Sequence, residues 1–130
     1  MDCSNPSGEI IESPVRMVTA DCGTHLRFRL TGHWSVDPIL LLAQTMAQGI
    51  SASANGRALI DLLDMEGVLS MEERYRMGAH LGSIFAHAKK VAVVQVIRDQ
   101  NGYVAKIANR AGAKIQVFSH EDDALIWLLH

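Results

Sequence analysis

The sequence predicts an α/β fold: one domain with a mixed five-stranded sheet and about four helices, in the order β-β-α-β-α-β-α-β-α. Three observations carry this. An early segment alternates apolar and polar residues, two later segments are nearly continuous apolar runs, and the stretches between and after them repeat apolar residues at helical spacing. Alternation with period two marks a strand buried on one face, whereas a short unbroken apolar run marks a central strand covered on both.

With 130 residues, 48% hydrophobic and 20% charged, the chain has the size and composition of a single core. A flexible leader is expected over residues 1–8 and one domain over 9–130. The leader, Met1 to Gly8, lacks the basic start and apolar middle of a signal peptide. The most apolar stretch, Pro38 to Ile50, is interrupted by Gln44 and Gln48 and is shorter than the roughly 20 residues a membrane helix needs. Cys3 and Cys22 form neither a CxxC pair nor a disulfide-dense scaffold, so both are expected as reduced thiols in a cytoplasmic protein. A net charge of -2 offers no field for phosphate backbones, which argues against nucleic acid as a partner.

Taken in order, Val15 to Ala20 reads as a first strand, with turn chemistry in Asp21-Cys22-Gly23-Thr24. From His25 to Leu30, the apolar Leu26, Phe28 and Leu30 alternate with His25, Arg27 and Arg29, which predicts a solvated arginine face. Asp37 before Pro38 gives an N-cap and a first-turn proline. The helix that follows buries Leu42, Ala43, Met46 and Ile50 and fades over residues 51–56. Leu40 and Leu41 widen its stripe, as a deeper core contact, a dimer face or an apolar-ligand face.

Ala58 to Leu63 is the first central strand, and Asp61 inside it requires hydrogen-bond partners. Ser70 and Glu73 have capping-box spacing at the head of a helix reaching about Lys89, with Tyr75, Gly78, Leu81, Gly82 and Phe85 on its apolar side. Val91 to Ile97 is the second central strand, and residues 98–102 form a turn. A short helix through Val104, Ile107 and Ala108 ends at Gly112, a last strand covers Lys114 to Phe118, and Ser119 caps a final helix.

Catalytic signatures are missing: there is no GxGxxG, Walker loop, GxSxG or HExxH. His80 and His87 are seven residues apart, about 10 Å along a helix, too far to share a metal. No catalytic residue, metal site or cofactor is therefore expected. Asp61, Asp64 and Glu66 do lie at the end of a central strand, where open α/β sheets place ligands, but no base or nucleophile accompanies them.

The strand ending in Asp61-Leu62, together with the element order, resembles the STAS domain of sulfate transporters and anti-sigma-factor antagonists, over most of the chain from Val15 to Trp127. That family follows its strand with an Asp-Ser-Ser-Gly turn and a helix. Here Ser70 falls on the first serine, Leu69 replaces the aspartate, Met71 replaces the second serine, and Glu72 stands where the family has glycine. The second serine accepts phosphate in regulatory members. The resemblance therefore implies a SpoIIAA-like, non-catalytic regulatory module that binds a protein partner and is not switched by serine phosphorylation. Its contact is expected at Asp64, Glu66, Gly67, Ser70, Met71, Glu72 and Arg74. Lipid or apolar small-molecule binding is the alternative, suggested by the wide stripe at Leu40 and Leu41 and by six methionines. An enzyme using Asp61, Asp64 or His80 comes last, and a homodimer is left open.

Overall fold

The computed structural model describes residues 8–96 and 102–130. Its strands run in sheet order β1(Gly8–Glu12), β2(Val15–Asp21), β3(Leu26–His33), β4(Arg57–Glu66), β5(Lys90–Val94), β6(Ile115–Phe118), and the helices are α1(Val36–Ala52), α2(Met71–Ile84), α3(Gly102–Arg110) and α4(Glu121–Leu129). β1 to β3 pair antiparallel, and β3 to β6 pair parallel through helical connections. The α/β class with four helices and a mixed sheet is the expected one, with six strands rather than five. The extra strand, β1, arises because Gly8–Glu12 pairs with Val15–Thr19, a hairpin whose short, exposed strand carries little alternation. The leader expected over 1–8 lies outside the described residues except for Gly8, which opens β1.

Each sheet face has its own core. Phe28, Leu30, Ala58, Ile60 and Val91 pack against Leu42, Ala43 and Met46 of α1 and Met77 of α2. On the opposite face Leu59, Ala92 and Val94 meet Ala124 and Leu128 of α4. Period-two alternation explains the division, because successive residues of β4 serve opposite layers. Lys90 fastens α4 at its far end: its ammonium lies 4.9 Å above the Trp127 ring and donates to the Trp127 carbonyl at 2.8 Å.

Several local expectations are corrected. Ser35, rather than Asp37, occupies the N-cap of α1, two residues earlier than the Asp-Pro pair suggests, and Asp37 instead pairs with Arg76 of α2. His120, rather than Ser119, caps α4. Helix α2 stops at Ile84 instead of continuing to Lys89, because Phe85–His87 turn toward β5. Tyr75, placed on the apolar side of α2, is 59% exposed, and Met77 takes the buried position. Cys22 is disulfide-bonded rather than reduced; the spacing rules address scaffolds of several bridges and have no purchase on a single one. The end of the second central strand at Ile97 and most of the turn over 98–102 lie outside the described residues. Among those described, no helix is long and apolar enough to cross a membrane.

Candidate functional site

The parallel strands all end at one edge, and the longest, β4, runs into the β4–α2 link at residues 67–70. Pairing of β3 with β4 slips by one residue between Arg29↔Asp61 and Thr31↔Asp64. This bulge resets the alternation, which would otherwise place Asp61 and Asp64 on opposite faces. As folded, both carboxylates meet arginines of β3, while Ile60, Leu62 and Met65 face the helices.

Asp61 is 7% exposed and fully engaged: one carboxylate oxygen accepts from the Leu63 backbone at 3.0 Å, the other from the Arg27 guanidinium at 2.8 Å. Arg27 also donates to Glu121 of α4 at 2.9 Å. Its expected solvated face is therefore corrected. α4 closes over this side of the sheet, and the arginine becomes the cation between two acids. Arg29, farther along, pairs with Asp64 in the open, which holds the guanidinium even more firmly protonated than usual. His80 lies exposed on α2, across the sheet from Asp61, so the three residues of the enzymatic reading do not converge. Among the described residues no cluster of His, Cys, Asp and Glu is placed to hold a metal ion.

His25 starts the same polar row. It is buried, with Nδ1 2.9 Å from the Thr24 hydroxyl. Burial lowers its pKa from 6.5, and Arg27 adds to this, against the opposing pull of Glu121 and Asp21. The folded ring thus holds its proton more weakly than the unfolded one, so unfolding takes up protons as the pH falls through the unfolded value near 6.5. Stability should fall on acidification from about pH 7.5 to about pH 5.5. Thermal melts across that range check this, with His25→Gln expected to flatten the profile.

The link itself turns at Gly67, whose φ of +89° is a conformation that suits glycine, and Trp34 N–H donates to the Glu66 carbonyl at 2.9 Å, fastening the strand end to the β3–α1 connection. Helix α2 then opens with a complete capping box: Ser70 Oγ accepts from Glu73 N–H at 3.1 Å, and the Glu73 carboxylate accepts in return from Ser70 N–H at 2.9 Å. These hydrogen bonds favour the ionised Glu73 and lower its pKa. Ser70→Ala should cost about 1 kcal/mol without changing the fold, a loss readable in thermal melts.

Around this cap the surface is apolar. Val68 is 68% and Met71 47% exposed, and Tyr75 lies one turn beyond Met71 on the same side of the helix. Glu66 and Glu72 are exposed nearby in sequence, and the partly buried Arg74 has its Nη1 3.8 Å from Met71 Sδ. Of the expected contact residues, Glu66 ends β4, Gly67 and Ser70 lie in the link, and Met71, Glu72 and Arg74 lie in the first turn of α2, whereas Asp64 belongs to the arginine row. Leu40 packs partly buried against the core and Leu41 is 50% exposed, so the two do not form one face. Sequence pattern alone does not single out Val68 and Tyr75; Val68 sits in a link too short to show periodicity, and Tyr75 falls at core spacing.

Beneath the link lies a cavity of about 700 Å³ between the sheet and α1, α2 and α3. Its walls include Ile39 and Met46 of α1, Met77 and Leu81 of α2, Val104 of α3, and Ile60 and Val93 of the sheet, and the exposed Glu66–Val68 and Val96 also line it. Neither Leu40 nor Leu41 reaches it.

A family model described as SpoIIAA-like matches residues 25–129. No curated protein matches the chain. Among solved structures, an anti-sigma factor antagonist from Mycobacterium paratuberculosis aligns with a TM-score of 0.63 at 12% identity, covering 92% of this chain and all of the other. An uncharacterised protein of the DUF3478 family with a SpoIIAA-like fold, from Shewanella loihica PV-4, aligns with a TM-score of 0.51 at 22% identity, covering 88% and 93%. Both are likenesses of fold.

Proposed function

Because the chain belongs to the SpoIIAA-like family, we propose that it is a non-catalytic regulatory module that recognises a protein partner through the β4–α2 link and the start of α2. The observation that carries this reading is the exposure of three apolar side chains, Val68 in the link and Met71 and Tyr75 on one side of α2, at the strand ends where such folds bind. A methionine at an exposed helix start gains nothing from water, but it can seat in a partner's pocket while Glu66, Glu72 and Arg74 set orientation. Ser70 supports the reading that no phosphate switch operates, because its hydroxyl already serves as the cap and Met71 fills the position of the family's phosphate acceptor.

Met71→Asp, and the charge reversal Glu72→Arg with Arg74→Glu, should each weaken capture of the native partner by about tenfold or more, as expected for a central anchor. Capture by immobilised protein, quantified against the parent, measures this. Leu40→Asp with Leu41→Asp should capture as the parent does. The reverse pattern would move the contact to α1.

A further inference from the structure

We infer that the end of the domain opposite the β4–α2 link docks on an anionic membrane surface, with its lysines and arginines on the headgroups and the last turn of α4 at the acyl boundary. This goes beyond the partner reading and does not rest on it. The net charge of -2 is a difference between two unlike ends. Arg57 and Lys90 open the parallel strands β4 and β5 and stand opposite each other in register, Lys89 precedes Lys90, and Lys114 stands immediately before β6. Arg110, the last residue of α3, comes down to the same edge, because residues 111–113 join it to Lys114. Among the described residues none of these five cations is in an ion pair, and Arg57 keeps its Nε buried without an acceptor. Carboxylates collect at the other end: Asp64 and Glu66 close β4, Glu72 and Glu73 open α2, and Glu121, Asp122 and Asp123 open α4. Asp21, at the basic end, lies two strands from Arg57, on β2, where it accepts from Gly23 N–H at 2.9 Å.

Each lysine or arginine near an anionic leaflet improves partition about fivefold, so one or two hold little and five acting together hold a domain reversibly. The same surface attracts the basic end and repels the acidic one, which leaves the β4–α2 link facing away from the lipid. Helix α4 supplies the apolar element. Its last turn reaches the basic edge, where Lys90 donates to the Trp127 carbonyl, and Ile126 and Leu129, three residues apart, are 63% and 37% exposed beside the cations. Aliphatic side chains in this position select lipid among polyanions. A nucleic acid would instead need an open aromatic ring on which bases stack, and Lys90 already occupies a face of Trp127.

The probes are vesicles of phosphatidylcholine alone and with about one-third phosphatidylserine, mixed with the full chain and floated on a density gradient. The chain should float with the mixed vesicles, stay behind with the neutral ones, and be released at about 0.5 M salt, where screening shortens the Debye length to about 4 Å. Lys89→Ala with Lys114→Ala, both exposed, should weaken binding about twenty-fivefold, as two lost charges would, and Lys89→Glu with Lys114→Glu further, each with the parent's far-ultraviolet circular dichroism. Ile126→Ser should weaken it about tenfold without any change of charge. Met71→Asp should float as the parent does, so loss of partner capture and loss of membrane binding are read separately. No binding to the mixed vesicles, equal binding to both compositions, or parental binding by a folded lysine pair or by Ile126→Ser would each overturn the inference. Retention on immobilised polyglutamate without binding to vesicles would also overturn it, by assigning the basic end to an acidic protein segment.

Discussion

Replacing Arg27 with methionine is expected to destabilise the protein by about 3 kcal/mol. The cause is the stranded carboxylate more than the missing attraction. Asp61 is 7% exposed and cannot recover water when its guanidinium partner is removed, so it must either stay ionised in a poor environment or take up a proton. Glu121 is farther out and contributes less, because solvent screens it. Double substitution separates these effects: Arg27→Met with Asp61→Leu should recover a large part of the loss, since removing both partners leaves no orphaned charge. Denaturant melts of the parent, the two single variants and the double variant give the coupling. A double variant as unstable as the sum of the singles would mean that the pair does not interact as described.

Gly82→Ala should destabilise by about 2 kcal/mol or more, although alanine is the better helix former by about 1 kcal/mol. A Cβ at Gly82 would stand 2.4 Å from Ala111 Cβ and 2.6 Å from the Ala108 carbonyl oxygen. Neither atom belongs to a flexible side-chain tip, so α3 itself must move away from α2. Gly78 repeats the contact one turn earlier, with Ile107 Cβ at 2.8 Å and Val104 oxygen at 2.9 Å. The two glycines let α3 lie close against α2, and α3 supplies one wall of the cavity, so the strain reaches that wall. Urea unfolding measures the effect; a variant as stable as the parent would show that α3 is not held at this distance.

The arrangement of strands and helices was legible because it is written in periodicities. Leu26, Phe28 and Leu30 alternate cleanly, Ala58 to Leu63 is a run with one polar interruption, and Ser70 with Glu73 announces the start of α2 by side-chain chemistry alone. Features that depend on what packs across a sheet were not legible. Nothing in His25-Leu26-Arg27 reveals that α4 will cover the arginine, because Glu121 is 94 residues away from it. The bulge that turns Asp64 to the arginine side and Met65 to the cavity is a difference of one residue between two strands, invisible in either strand read singly. Sequence pattern does not reveal the cavity, and the apolar-ligand face it expects lies at Leu40 and Leu41, which do not line it. The stripe actually facing it runs through Ile39, Ala43 and Met46, the neighbouring face of the same helix.

Recognition of a partner at the β4–α2 link is tested most directly by placing a photoreactive amino acid at position 71, and separately at positions 41 and 126, which are also exposed but lie on α1 and α4. Irradiation of the chain bound to its captured partner should give a strong cross-link from position 71 and little from the other two. Mass spectrometry of the linked peptide then identifies the partner's pocket. Cross-linking from position 41 or 126 with none from 71 would contradict the account, because the partner would then sit on α1 or α4 and the apolar rim at Val68, Met71 and Tyr75 would face water in the complex.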